Sequence, residues 1–244
     1  MQQGSLRTPL VLPPLFSEIA CDEGEAVFER AVAQAGDLGA GALLHGVRGH
    51  ALSTAVVLEP DEPLASARRA FSIVMVAIRD ALASHCPPER DIRFAWPDTI
   101  LYDGARLGGG RMAWPDNCPE DDVPAWLVVG IDLIRTRPPL SAGKAFLGSI
   151  SLREEEFFDD AELIESFSRH LMRLVSLHEA GEQSEIVDAY LHRLADGMDG
   201  AALSLADNGD LLERSADGRI ERRSLTDGLA TMRWLDPKTG EPRL

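Results

Sequence analysis

Lysine is nearly absent from this chain. Of its 24 basic residues only Lys144 and Lys238 are lysines, and 40 acidic residues bring the formal net charge of the 244 residues to −16. Such a balance lacks the clustered cations that neutralise a phosphate backbone, so general nucleic-acid binding is excluded. The same field is mildly hostile to ATP unless a local basic pocket overcomes it. Cysteine is scarce as well. Cys21, Cys86 and Cys118 are odd in number, far apart and without C-x-x-C spacing, so neither a disulfide framework nor a zinc site is indicated and a reducing cytoplasm is the expected compartment. No apolar run approaches the roughly 18 residues of a membrane span. The opening MQQGSLRTPLVLPPLF lacks the charged-then-apolar order of a signal peptide, so no membrane partner is expected. There is no G-x-S-x-G, Walker A or dinucleotide fingerprint, and no internal repeat.

What is present is enough apolar material for a core: 45% of the residues are hydrophobic. Residues 23–36 carry Val27, Phe28, Ala31 and Val32 on one helical face, with Asp22 and Glu25 spaced as a capping box. ALLHGVRGHALSTAVVL reads as a hairpin turning at Gly46 to Gly49. Pro63 precedes a helix whose stripe is Leu64, Ala67, Phe71, Val74, Ile78 and Leu82. AWLVVGIDLI, at 125–134, is a β-branched run of the kind buried in a sheet. Asp159 and Glu162 open a long helix with Leu163, Ile164, Phe167, Leu171 and Leu174 inward, and a further helix is expected at about 184–195. Asn208-Gly209 and Asp217-Gly218 then separate short runs, predicting a small β-meander. The expected organisation is a larger domain over 1–197 and a small β-rich one over 198–244.

The stretch AWPDTILYDGARLGGG raises the functional question. Asp103-Gly104 predicts a hairpin turn, and Gly108 to Gly110 mark a close approach by a ligand or another backbone, or equally a bulge packed against a helix.

The order of pieces resembles the biotin/lipoate protein ligase superfamily. WPDTILYDGARLGG is similar to the W-P-N-D…G-K-K-L-A-G strand pair of biotin protein ligases, with Gly104, Leu107 and Gly109 falling into register once Trp96 and Pro97 are matched. WLVVGIDL resembles their I-G-I-G-I-N strand, and SLREEEFFDDAELIESF their S-L-x-E segment and following helix. The resemblance spans roughly residues 40–230 and implies an α/β fold, a mixed sheet flanked by helices, with a small C-terminal β-unit. It also implies that an acyl carboxylate such as biotin, lipoate or octanoate binds in a cleft, is activated there as an acyl-adenylate with ATP and magnesium or arrives already activated, and passes to a lysine of a carrier protein. Gly108, Gly109 and Gly110 would be the bare strand beneath the acyl chain. Trp96, Pro97, Asp98, Arg48 and Asp132 would join them in binding, and Arg106 would take the catalytic position.

Several positions depart from that pattern. The ligases carry a lysine before Trp-Pro and another before Leu-x-Gly; here these are Ala95 and Arg106. Their G-R-G-R-x-G loop is replaced by HGVRGH, of which Arg48 and Gly49 are remnants. Adenylation brings like charges together and needs cations to neutralise them, and guanidinium is not equivalent to a compact ammonium. Arg106 therefore reads either as a carboxylate or phosphate partner or as a strand-end cation paired with an acidic neighbour. Lys144 is a solvated loop charge or a lid contact. Asp98, Thr99 and Asp132 replace the family's Asn, Asp and Asn, which weakens the case for magnesium and adenine binding. His45 and His50 flank a turn without a third ligand and read as surface or packing residues. A catalytically inactive binding or regulatory homologue of the same fold is the rival functional reading.

Overall fold

The computed structural model describes residues 9–138, 148–195 and 202–244. A seven-stranded sheet forms the frame, built from β1 (Ser17–Ala20), β2 (Ala42–Arg48), β3 (Ala51–Leu58), β4 (Ile92–Ala95), β5 (Thr99–Tyr102), β6 (Ala105–Ala113) and β7 (Leu127–Ile134), in the order β1-β2-β3-β7-β6-β5-β4. The β1–β2 pair is parallel and every other neighbour antiparallel, so the sheet is mixed as expected.

Helices cover both faces because each strand turns alternate residues to opposite sides. Gly110 faces α3 (Ala70–Ser84), where a Cβ would come within 2.8 Å of Met75 Sδ, and Gly130 faces Phe28 of α1 (Val27–Leu38). On the first side α3, α4 (Asp160–Glu179) and α5 (Gln183–Leu191) enclose the larger buried cluster, including Phe71, Met75, Ile78, Phe94, Phe167 and Tyr190. On the second side α1 closes a smaller cluster over Leu44, Ala55 and Val128.

The expected elements are found with informative shifts. Asp159 Oδ1 accepts from Glu162 N–H at 3.0 Å and caps α4. Asp22 and Glu25 do bond each other, but as a turn ahead of α1, whose first residue is Val27. The helix after Pro63 comes in two pieces, α2 (Leu64–Ala67) and α3. At the junction Phe71 and Ser72 donate to Arg68 and Arg69 three residues back, a tighter pattern than the four-residue ladder. The Asp103-Gly104 turn has positive φ at both residues, 48° and 78°, as a two-residue primed hairpin requires. β1 and β4 were not anticipated: each is a four-residue strand whose pattern is too short to read.

After the main sheet come β8 (Ala202–Leu205), β9 (Leu211–Arg214) and β10 (Ile220–Arg223), the expected antiparallel meander. Then follow an unforeseen helix α6 (Leu225–Thr231), capped by Ser224 Oγ on Asp227 N–H at 3.2 Å, and the short pair β11 (Leu235–Asp236) and β12 (Glu241–Pro242). Leu211, Leu225 and Leu229 lie in the same buried cluster as α3 and α4. The expected boundary between residues 197 and 198 lies outside the described residues. Among the described residues no helix is long and apolar enough to cross a membrane.

Candidate functional site

The turn from β4 to β5, Trp96-Pro97-Asp98, is held from three sides. Pro97 O accepts from Tyr190 Oη at 2.6 Å, and Tyr190 is fully buried between Phe94, stacked at 5.2 Å, and the edge of Trp96 at 6.1 Å. Asp98 O accepts from Gly110 N–H at 2.8 Å, tying the turn to β6. Gly228 of α6 lies against the Pro97 ring, where a Cβ would come within 2.7 Å of Pro97 Cγ. The absence of a side chain at Gly228 therefore lets α6 dock on the turn.

Between the turn and α6 lies a cavity of about 430 Å³. Its lining includes Trp96, Pro97, Asp98 and Arg106 from the hairpin and Arg223, Arg233 and Trp234 from the C-terminal segment. Ala95, the position at which the ligase pattern carries a lysine, also faces it. Four of the expected site residues thus line one cavity, and part of the lining comes from a segment in which no site residue was anticipated.

Asp98 is 3% exposed. Oδ1 accepts from Thr99 Oγ1 at 3.1 Å, while Oδ2 has no partner among the described residues. Burial pushes its carboxyl up to about 6, against the opposing pull of the nearby Trp234 indole and the Thr99 hydroxyl.

Arg106 extends from β6 towards the chain end, where Nε and one Nη donate to Arg243 O at 3.1 and 2.9 Å. Its backbone pairs with the 148–150 segment, accepting from Ile150 N–H and donating to Gly148 O. Neither reading from the sequence anticipated a carbonyl of this chain as its partner.

The three glycines have three different reasons. Gly110 gives room to Phe71 and Met75 of α3, and Gly108 lies against the backbone of Asp132 and Leu133 in β7. Gly109 lies beneath the indole of Trp234, which is 1% exposed and would overlap any Cβ placed there. Only Gly109 adjoins the cavity wall, through Trp234.

Asp132 pairs with Gly109 across the strands and shares its face of the sheet. It is fully buried, accepting from Ser53 Oγ at 2.5 Å and facing Arg111 at 2.9 Å. Arg111 also reaches Glu29 at 2.7 Å and lies over the Phe28 ring at 4.3 Å. Burial raises the Asp132 carboxyl, and Arg111 and Ser53 oppose it. Asp132 thus belongs to a polar cluster beside the cavity.

Arg48 and the HGVRGH hairpin also meet the chain end. Arg48 approaches Gly240, Gly49 lies against the Glu241 carboxylate, and His50 bonds Glu241 at 2.6 Å and Pro242 O at 2.7 Å. His45 pairs with Glu18 at 2.9 Å. Among the described residues no group of three or more His, Cys, Asp or Glu is placed to hold a metal ion. Lys144 lies outside the described residues.

Trp234, Arg223 and Arg233 were missed by sequence reasoning. The only signal is compositional: Trp234 is one of four tryptophans and stands in a segment otherwise short of large apolar side chains.

Comparison with known proteins bears on the family and the fold. The model of the Biotin/lipoate A/B protein ligase family matches residues 12–192. A crystal structure of a biotin protein ligase-like protein of unknown function from Silicibacter sp. TM1040 superposes with TM-score 0.76 at 26% identity, covering 91% of this chain and 99% of that one. Biotin protein ligase from Aquifex aeolicus gives 0.63 at 14% identity, covering 85% and 95%. That from Leishmania major in complex with biotin gives 0.53 at 15%, covering 87% and 99%. No curated protein matches the chain.

Proposed function

The chain belongs to the biotin/lipoate A/B protein ligase family, and on that premise we propose that it binds an acyl carboxylate, biotin, lipoate or octanoate, and passes the acyl group to a lysine of a carrier protein. The observation that supports this most is the cavity of about 430 Å³ on which Trp96, Asp98 and Arg106 converge, a size ordinary for small-molecule sites. Structures of the fold from Aquifex aeolicus and Leishmania major hold biotin, the former also with ATP. In the transfer the carrier's amine attacks the acyl carbon and the activating group leaves, adenylate if the acid is activated on this chain. The guanidinium of Arg106 is the group on the expected hairpin able to steady the carboxylate oxygens. With three free cysteines, the chain suits a reducing cytoplasm.

A second reading, a binding or regulatory homologue without chemistry, is favoured by Ala95 at a lysine position and by the engagement of Arg106 with Arg243 O. Pure protein is titrated calorimetrically with each acid, then incubated with ATP, magnesium and the acid while pyrophosphate and acyl-adenylate are followed by mass spectrometry. Acid binding with pyrophosphate release supports the ligase. Binding without release supports the second reading. No binding of any acid overturns both.

A further inference from the structure

The cavity has cations on the side that belongs to the C-terminal unit. Arg223 ends β10 and Arg233 follows α6, so the two bracket the helix that docks on Pro97, and both face the cavity. Among the described residues neither guanidinium has a carboxylate or carbonyl within hydrogen-bonding distance. Their neighbour Arg222 differs, being committed to Asp210 at 2.6 Å. Arg106 completes the set, with one Nη uncommitted after its two bonds to Arg243 O.

In a chain of net charge −16, two arginines left without anionic partners at one cavity are unusual company. Two carboxylates share the walls: exposed Asp227, and buried Asp98, whose carboxyl is raised by burial. Buried Asp98 and the indole of Trp234 lie close to each other in that wall, although neither Asp98 Oδ2 nor Trp234 Nε1 has a partner in full hydrogen-bond geometry.

We propose that Arg223 and Arg233 of the C-terminal unit form, with Arg106, the oxyanion-binding end of the site, so that the unit supplies binding residues rather than packing alone. This rests on the acyl-carboxylate reading for the identity of one ligand, but the cationic wall itself does not. The shared chemistry is an oxyanion with two or more oxygens, which planar guanidiniums grip by paired hydrogen bonds. Its source is the carboxylate of an acyl ligand or the phosphate of a nucleotide.

The test compares wild type, Arg223→Gln, Arg233→Gln and the double variant, with exposed Arg219→Gln as control. Affinities are measured for biotin, lipoate, octanoate, ATP and inorganic phosphate, and the arginine Nε–H resonances of wild type are followed in the same titrations. Each single variant is expected to weaken the oxyanion ligand about ten- to a hundredfold, with the control unchanged. Response to the acids alone identifies a carboxylate site, and response to ATP and phosphate alone a phosphate site. If every acid, ATP and phosphate that binds wild type binds the double variant equally, the inference is overturned, and where an acid is among them the acyl-binding reading stands. If no acid binds but phosphate shifts Arg223 and Arg233, the acyl reading fails and the oxyanion site stands. If no probe moves either resonance, the inference is overturned whatever the variants do.

Discussion

Trp234 lies over Gly109, so that a residue near the chain end covers the strand on which the acyl chain was expected to rest. The contact explains the glycine physically, since even a methyl group there meets the indole. Gly109→Ala is expected to cost about 1–3 kcal/mol through overpacking, read by urea unfolding. The loss should shrink in a Trp234→Ala background, because the two sites share one contact. Additive losses would show that Gly109 is required for another reason.

Asp98 predicts a pH dependence of stability. Its folded pKa, about 6, lies above the usual carboxylate value of 3.8, so the folded state binds the proton more tightly than the unfolded chain. The group's contribution is therefore full below the unfolded pKa and is lost as pH rises through about 6. Asp98→Asn should remove this loss, and the stability difference between wild type and variant should change by about 2 kcal/mol between pH 4 and 7. Urea unfolding across that range measures it, and a flat difference argues against a buried, poorly solvated carboxyl.

Arg111 and Asp132 form an ion pair whose two side chains are each more than nine-tenths buried. Asp132→Ala leaves the guanidinium without its internal partner and is expected to cost about 3–5 kcal/mol. Asp132→Ala combined with Arg111→Met should recover much of that loss. Thermal and denaturant unfolding of the three proteins decide it; a silent Asp132→Ala would mean that Glu29 and Ser53 suffice.

Arg106 separates binding from simple surface charge. If it grips an oxyanion, Arg106→Ala should weaken that ligand by about 1.5–3 kcal/mol, roughly ten- to a hundredfold. Arg106→Lys should restore part of the affinity. At an exposed pair contributing on the order of 0–1 kcal/mol both would be nearly silent. Calorimetry on the three proteins distinguishes these outcomes.

The fragment 198–244 is expected to be unfolded in isolation, because Leu211, Leu225 and Leu229 are buried within the larger domain's cluster and so small a unit lacks a sufficient core of its own. Amide spectra of the fragment check this; sharp, dispersed signals would show an independent fold.

Local pattern alone determined much of this protein. The Asp103-Gly104 turn, the Asp159 cap and the apolar stripe of α3 are written in neighbouring residues, because turns, caps and periodicity act over a few positions. Motif order placed Trp96, Pro97, Asp98 and Arg106 in one site, and all four share a cavity. The partners of those residues were decided by tertiary structure. Nothing near Gly109 in the chain announces Trp234, 125 positions away, and nothing near Arg106 announces the carbonyl of Arg243. The three consecutive glycines look alike in sequence, yet one faces α3, one the backbone of β7 and one an indole, since the pleat and the packing of each face assign the neighbour. Nothing in the sequence singles out Arg223 and Arg233, which reach the cavity beside α6, docked through Gly228 on Pro97. Long-range burial of apolar surface puts the C-terminal unit there, and no short-range signal in the sequence specifies where such a unit docks.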